Sequence, residues 1–139
     1  MTLSDVDLAL RTLALRPTAL TAVVGTRVFV GSDLPAGYDV RPVAGNAVFT
    51  GPAVLFSGRG GRVGRTSVLL EATYLVRCYG ITQAAARELD TLLLACLHDT
   101  SGGAIRVLRC NVTGQHTPES DTGWHTYLST WDVTAVLHV

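Results

Sequence analysis

A chain of 139 residues with 11 basic and 11 acidic side chains fits a single domain, residues 1–139, able to bury roughly two-thirds of its unfolded surface. Its 47% hydrophobic and only 16% charged content, at zero formal net charge, argues against a nucleic-acid binder held by bulk charge and favours surface that is covered in an assembly. No stretch is long and apolar enough to span a bilayer, and no basic segment precedes an apolar run at the start, so the expectation is a protein made in the cytoplasm with no membrane partner.

All 11 basic residues are arginines. Genomic base composition accounts for that, and so does selection for interface contacts, since arginine tolerates partial burial better than lysine. Cys78, Cys96 and Cys110 are odd in number and fall inside predicted elements, so they read as buried thiols and not as a disulfide framework or a metal site. Asn111-Val112-Thr113 matches a glycosylation sequon, which has no meaning without a secretion signal.

Ser4 opens a helix, with Asp5 and Asp7 in the first turn where negative charge suits the amide end. Val6, Leu10 and Leu13 mark its buried stripe, and Arg16-Pro17 ends it because the residue before proline is pushed out of the helical region. Pro17 to Val24 reads as a second short helix stopped by Gly25, and Arg27 to Val30 as a short strand. From Gly31 to Gly51 no period is sustained, which predicts a long loop. Tyr38, Val40, Val43, Val48 and Phe49 give that loop apolar side chains in need of cover, either as an arm docked on a neighbouring subunit or folded over its own core.

Pro52 to Ser57 is a predicted strand, and Gly58 to Thr66 a hairpin connection carrying Arg59, Arg62 and Arg65. Gly64-Arg65-Thr66 imitates the end of a phosphate loop, but Arg59 occupies the first glycine position, arginine replaces the lysine, and a strand follows where the anion cradle needs a helix. The hairpin is then either a solvated tip or an arginine cluster that meets an acidic neighbour or packaged DNA.

From Ser67 to Tyr79 the side chains Val68, Leu70, Ala72, Tyr74, Val76 and Cys78 fall on one apolar face of a strand. Gly80 breaks it and Thr82 caps a helix. That helix has a stripe of Ala85, Leu89, Leu92, Leu93, Cys96 and Leu97, with Leu94 near the polar side beside Arg87, Asp90 and Thr91. His98 sits at the carbonyl end of the helix dipole, and Asp99 to Gly103 stops the helix. Ala104 to Thr113 is a strand with a bulge near Val107, Gly114 to Gly123 a polar loop, and Trp124 to Val139 the last strand, bent near Ser129.

These pieces predict an α+β fold: an antiparallel/mixed four-stranded sheet, order 2-3-5-4, packed on one face by helices, with an N-terminal helical segment. Its other face, with Leu69, Leu75 and Tyr79 among polar residues, is left half covered. His98, His116, His125 and His138 lie apart with no metal-ligand spacing, and no nucleophile elbow or paired-carboxylate signature is present. No residue is assigned to catalysis, cofactor or metal, and the expectation is a protein that is not an enzyme. His116 and His125 flank a polar loop with room for a small ligand, although solvated histidines are far more common.

The order of elements resembles a known family. The relevant segments are the N-terminal helix ending at Leu20 to Val24, Gly25-Thr26-Arg27-Val28-Phe29, a proline-containing loop, and Pro52-Ala53-Val54-Leu55-Phe56. They continue with Leu75-Val76-Arg77-Cys78-Tyr79-Gly80 and a helix opening Thr82-Gln83-Ala84-Ala85-Ala86. This pattern is similar to the tail terminator, or tail completion, proteins of long-tailed bacteriophages and prophages. The resemblance implies an α+β subunit of a homo-oligomeric ring, commonly a hexamer, that caps the head-proximal end of the tail tube in the virion. Such a ring ends tube polymerisation and offers a surface to head-side connector or stopper proteins. It asks no chemistry of any residue. Arg59, Arg62 and Arg65, with Tyr38, Phe49 and Leu94, are the candidate subunit-interface or lumen residues, close to genomic DNA if the ring encloses its passage. Two other classes stay open: a different neck or minor tail component, such as a head-completion protein, and a monomeric small-ligand module binding beside His116 or Trp124.

Overall fold

The computed structural model describes residues 3–35, 38, 51–63, 69–118 and 124–136. In chain order these form α1 (Leu3–Ala14), α2 (Ala19–Val24), β1 (Val28–Val30), β2 (Ala53–Val63), β3 (Leu69–Gly80), α3 (Gln83–Leu97), β4 (Thr100–Gly102), β5 (Ile105–Pro118) and β6 (His125–Val136). The α+β class stands. The sheet, however, has six strands and not four, in the order β1-β2-β3-β6-β5-β4. The expected 2-3-5-4 order differs from it because β1 and β4 add an edge on either side. β1 lies parallel to β2, and every other neighbouring pair is antiparallel.

β3 and β6 form the spine, with unbroken register from Leu69↔Val136 to Gly80↔His125. Because strand side chains alternate, Leu70, Ala72, Tyr74, Val76 and Cys78 of β3 share one buried face with Tyr127, Ser129, Trp131, Val133 and Ala135 of β6. The ladder of β6 to β3 runs unbroken through Ser129. Ser129 occupies an apolar column because its hydroxyl accepts from the Trp131 indole N–H at 2.8 Å, with both residues almost fully buried. The irregularity lies instead in β5, whose register shifts between Ile105 and Val107, Cys110 and Val112, and Val112 and Gln115.

The helices cover that face and share one core with it. In α3 the Thr82 side chain accepts from the Ala85 N–H at 3.1 Å, the expected cap. The buried stripe is Ala86, Leu89, Asp90, Leu93 and Leu97, rotated from the expected one, so Ala85, Leu92 and Cys96 are half-buried and Asp90 is inside. Each of the three leucines contributes about 1.5–3 kcal/mol by burial. Asp90 lies near the buried Cys78, whose thiol is pushed up first by burial and then by that carboxylate. Gly80 permits the sharp exit from β3: a Cβ there would meet the Ala86 nitrogen at 2.6 Å.

Arginine forks hold the N-terminal elements to β1. Arg11 Nε donates to Val28 O at 2.9 Å, and Arg27 bridges α2 to the start of β2 through Val23 O and Pro52 O, both at 2.9 Å. The second sheet face is better covered than the sequence suggests. Tyr38, Ala53, Leu55 and Tyr79 form a buried cluster there, flanked by Phe29, Leu34 and Trp124.

Candidate functional site

β1 is short for a physical reason that also makes a cleft. Gly31, at φ +144°, turns the chain out of the sheet, a conformation open to glycine and strained for other residues. The Ser57 hydroxyl donates to Gly31 O at 2.7 Å and fixes the departure. β2 runs on without a neighbour on that side among the described residues, to Val63. Where β1 would have continued, Asp7, Gly31, Ser32, Ser57, Gly58, Arg59, Ala72, Tyr74 and Arg77 line a cleft of about 450 Å³.

The cleft wraps the sheet edge at Gly58. On the helix side Asp7 of α1 accepts a short hydrogen bond from the Tyr74 hydroxyl. Burial, then that bond, then the Asp7 charge push the Tyr74 phenol far above its usual range. On the other side Arg77 Nη1 donates to Ser57 Oγ at 3.2 Å, while Arg59 is exposed at the mouth. Among the described residues neither Arg59 nor Arg77 forms an ion pair. The site therefore offers two guanidinium groups, one carboxylate, hydroxyls and a strand edge that no described residue pairs with.

The other predicted site residues are scattered. Arg62 sits in β2 opposite Glu71, whereas Arg65 and Phe49 lie outside the described residues. Tyr38 folds over its own sheet: its hydroxyl donates to Gly51 O at 2.7 Å, and its ring meets Phe29 edge-on at 5.4 Å. Burial pushes its hydroxyl up to about 12, against the opposing charge of Arg27. Leu94 is half-buried against the helix-side core.

His116 and His125, expected to lie apart on either side of a polar loop, come together. The segment Gly114 to Pro118, expected as loop, continues β5, so His116 pairs with Tyr127 and Pro118 with His125 across the ladder. His116 Nε2 and His125 Nδ1 lie 2.9 Å apart. With ring planes 12° apart and centroids at 5.1 Å, the imidazoles meet end to end through one N–H···N bond. The signal available was the hairpin itself, since residues flanking a turn become cross-strand neighbours. Among the described residues no three His, Cys, Asp or Glu side chains gather to hold a metal, and no helix is long and apolar enough to cross a membrane.

These features define a class: an α+β protein with helices on one face of a six-stranded mixed sheet and a charged cleft at the sheet edge. No family model matches the sequence, and no curated protein matches it. Among solved structures, the fold is similar to that of a chain in the virion of a native gene transfer agent (GTA) particle. The TM-score is 0.60 at 14% identity, with 91% of this chain and 90% of that chain covered. At that identity the likeness is one of fold.

Proposed function

We propose that this chain is a structural protein of a phage-like virion, working as a tail-terminator subunit in a ring at the head-proximal end of the tail tube. The observation that carries this reading is the fold likeness to a chain of a gene transfer agent virion, which runs over 91% of this chain and not over an isolated motif. The motif resemblance in the sequence points the same way, as do the low charge and zero net charge.

The mechanism is steric and adhesive. One ring face copies the contacts of a tube ring, the other offers none for a further tube ring, and head-side connector proteins dock there. Arg59, Arg62 and Arg65 bridge subunits or line the DNA passage in this reading, with Phe49 and Leu94 at subunit contacts. Tyr38 has less to offer a neighbour, since its hydroxyl and ring are engaged within the chain. Localisation is then the virion, and no residue performs catalysis.

The test is native mass spectrometry and negative-stain imaging of the chain alone and mixed with tail tubes. The expected result is a ring, of sixfold symmetry, at one end of each tube. A ring of another symmetry joined to heads would reassign the chain to the head-side neck, and a chain that stays monomeric and off the tubes would end the virion reading.

A further inference from the structure

Beyond Val30, where β1 ends, no described strand pairs with the outer edge of β2. In β2, Val54 N–H donates outward to Arg27 O at 3.1 Å and Phe56 O accepts outward from Gly31 N–H at 2.9 Å. Backbone groups in a strand alternate sides, and Gly58, still in register opposite Tyr74 before the ladder shifts toward Gly61, directs its N–H to that same outer side, into the cleft, where no described residue meets it. Edge groups of this kind are a template for another strand. The chemistry around that edge then selects the occupant. Arg59 and Arg77 bring two positive charges without an ion pair among the described residues, against one carboxylate, Asp7, that is already engaged by Tyr74.

We propose that this cleft binds an extended, acidic segment of a partner protein, added as a strand beside β2 at Gly58 with its carboxylates on Arg59 and Arg77. A nucleic-acid backbone fits less well, because phosphates have acceptors but no donors for the carbonyl groups of a strand edge and form no ladder with it. The site is a property of the single chain. Only the identity of its natural occupant, a neighbouring virion subunit, rests on the reading given above.

The experiment titrates the full chain with a blocked Val-Glu-Val-Glu-Val peptide, followed by NMR of the arginine Nε–Hε and backbone amide signals. Binding in the millimolar range is expected, as for a short unstructured peptide, with shifts at Gly58, Arg59 and Arg77. R59Q, at an exposed position, keeps the fold and weakens binding about fivefold, the scale of one exposed ion pair. R77Q weakens it at least as much. The same peptide N-methylated at alternate residues, unable to form a ladder, does not bind. The proposal is overturned by absence of binding, by equal binding to R59Q and R77Q, by equal binding of the N-methylated peptide or a Val-Lys-Val-Lys-Val peptide, or by full displacement with an equal concentration of inorganic phosphate. Ring formation on tubes enters none of these outcomes, so the two readings fail separately.

Discussion

The hydroxyl of Ser129 is the feature of the core that a substitution exposes most sharply. Ser129 is 2% and Trp131 1% exposed, so water has no route to the indole N–H if its acceptor at 2.8 Å is removed. Ser129→Ala leaves that donor buried and unmatched, a loss of about 1–3 kcal/mol. Trp131→Phe removes the donor but shrinks the largest core side chain, also costing about 1–3 kcal/mol. The diagnostic quantity is the coupling: in the Trp131→Phe background Ser129→Ala has no donor to strand, and the double-mutant cycle returns about 1–2 kcal/mol of interaction. Urea unfolding followed by far-ultraviolet circular dichroism reads all four proteins on one scale. A single Ser129→Ala within about 0.3 kcal/mol of the parent, or a cycle that closes without coupling, refutes the claim that this bond holds a polar residue in the apolar column.

Three further outcomes follow from the geometry. Gly80→Ala sets a Cβ against the backbone of the first turn of α3, at 2.6 Å from the Ala86 nitrogen and 3.1 Å from the Ala85 carbonyl carbon, and lowers stability by about 1–3 kcal/mol, read as a drop in melting temperature. Tyr74→Phe takes the hydroxyl from the Asp7 carboxylate and costs about 1–3 kcal/mol at pH 7, measured by the same urea titration. Tyr38 ionises near 10 when unfolded and is pushed up to about 12 when folded. The unfolded chain therefore releases that proton first: the stability linked to it is intact below pH 10 and is lost as pH rises toward 12, at up to about 1.4 kcal/mol per pH unit. Tyr38→Phe removes that share of the alkaline decline, and an unchanged decline in the variant would contradict the burial argument.

The parts of the fold legible in the sequence are those where one chemical pattern determines the outcome. The apolar column of β3, the Thr82 cap and the Val6, Leu10, Leu13 stripe each follow from side-chain period and local hydrogen bonding, and each lies buried or bonded as that period requires. What escaped was set by pairing and packing partners that the side-chain pattern of a segment does not name. Thr100–Gly102 has no strand composition and becomes β4 only because Ile105 and Leu108 lie across from it. The polar stretch Gly114 to Pro118 extends β5 because the ladder to β6 is made by backbone groups, to which side-chain polarity is indifferent. Asp90 rotates the α3 stripe in a way periodicity cannot suggest, since a carboxylate scores as surface. Of the candidate site, Arg59 was visible as one arginine of a hairpin. Its cleft was not, because Asp7, Ser57, Tyr74 and Arg77 come from α1, β2 and β3 and converge only when β1 stops at Gly31.

A cryo-electron microscopy map of an assembled particle containing this chain decides whether it is a ring subunit of the tail neck. Density for the α+β subunit is expected as a closed ring between the last tube ring and the connector, with the β2 edge at Gly58 and Arg59 facing an extended segment of an adjacent subunit. Density for the chain away from the neck of the particle, or no copy in it at all, would contradict that assignment.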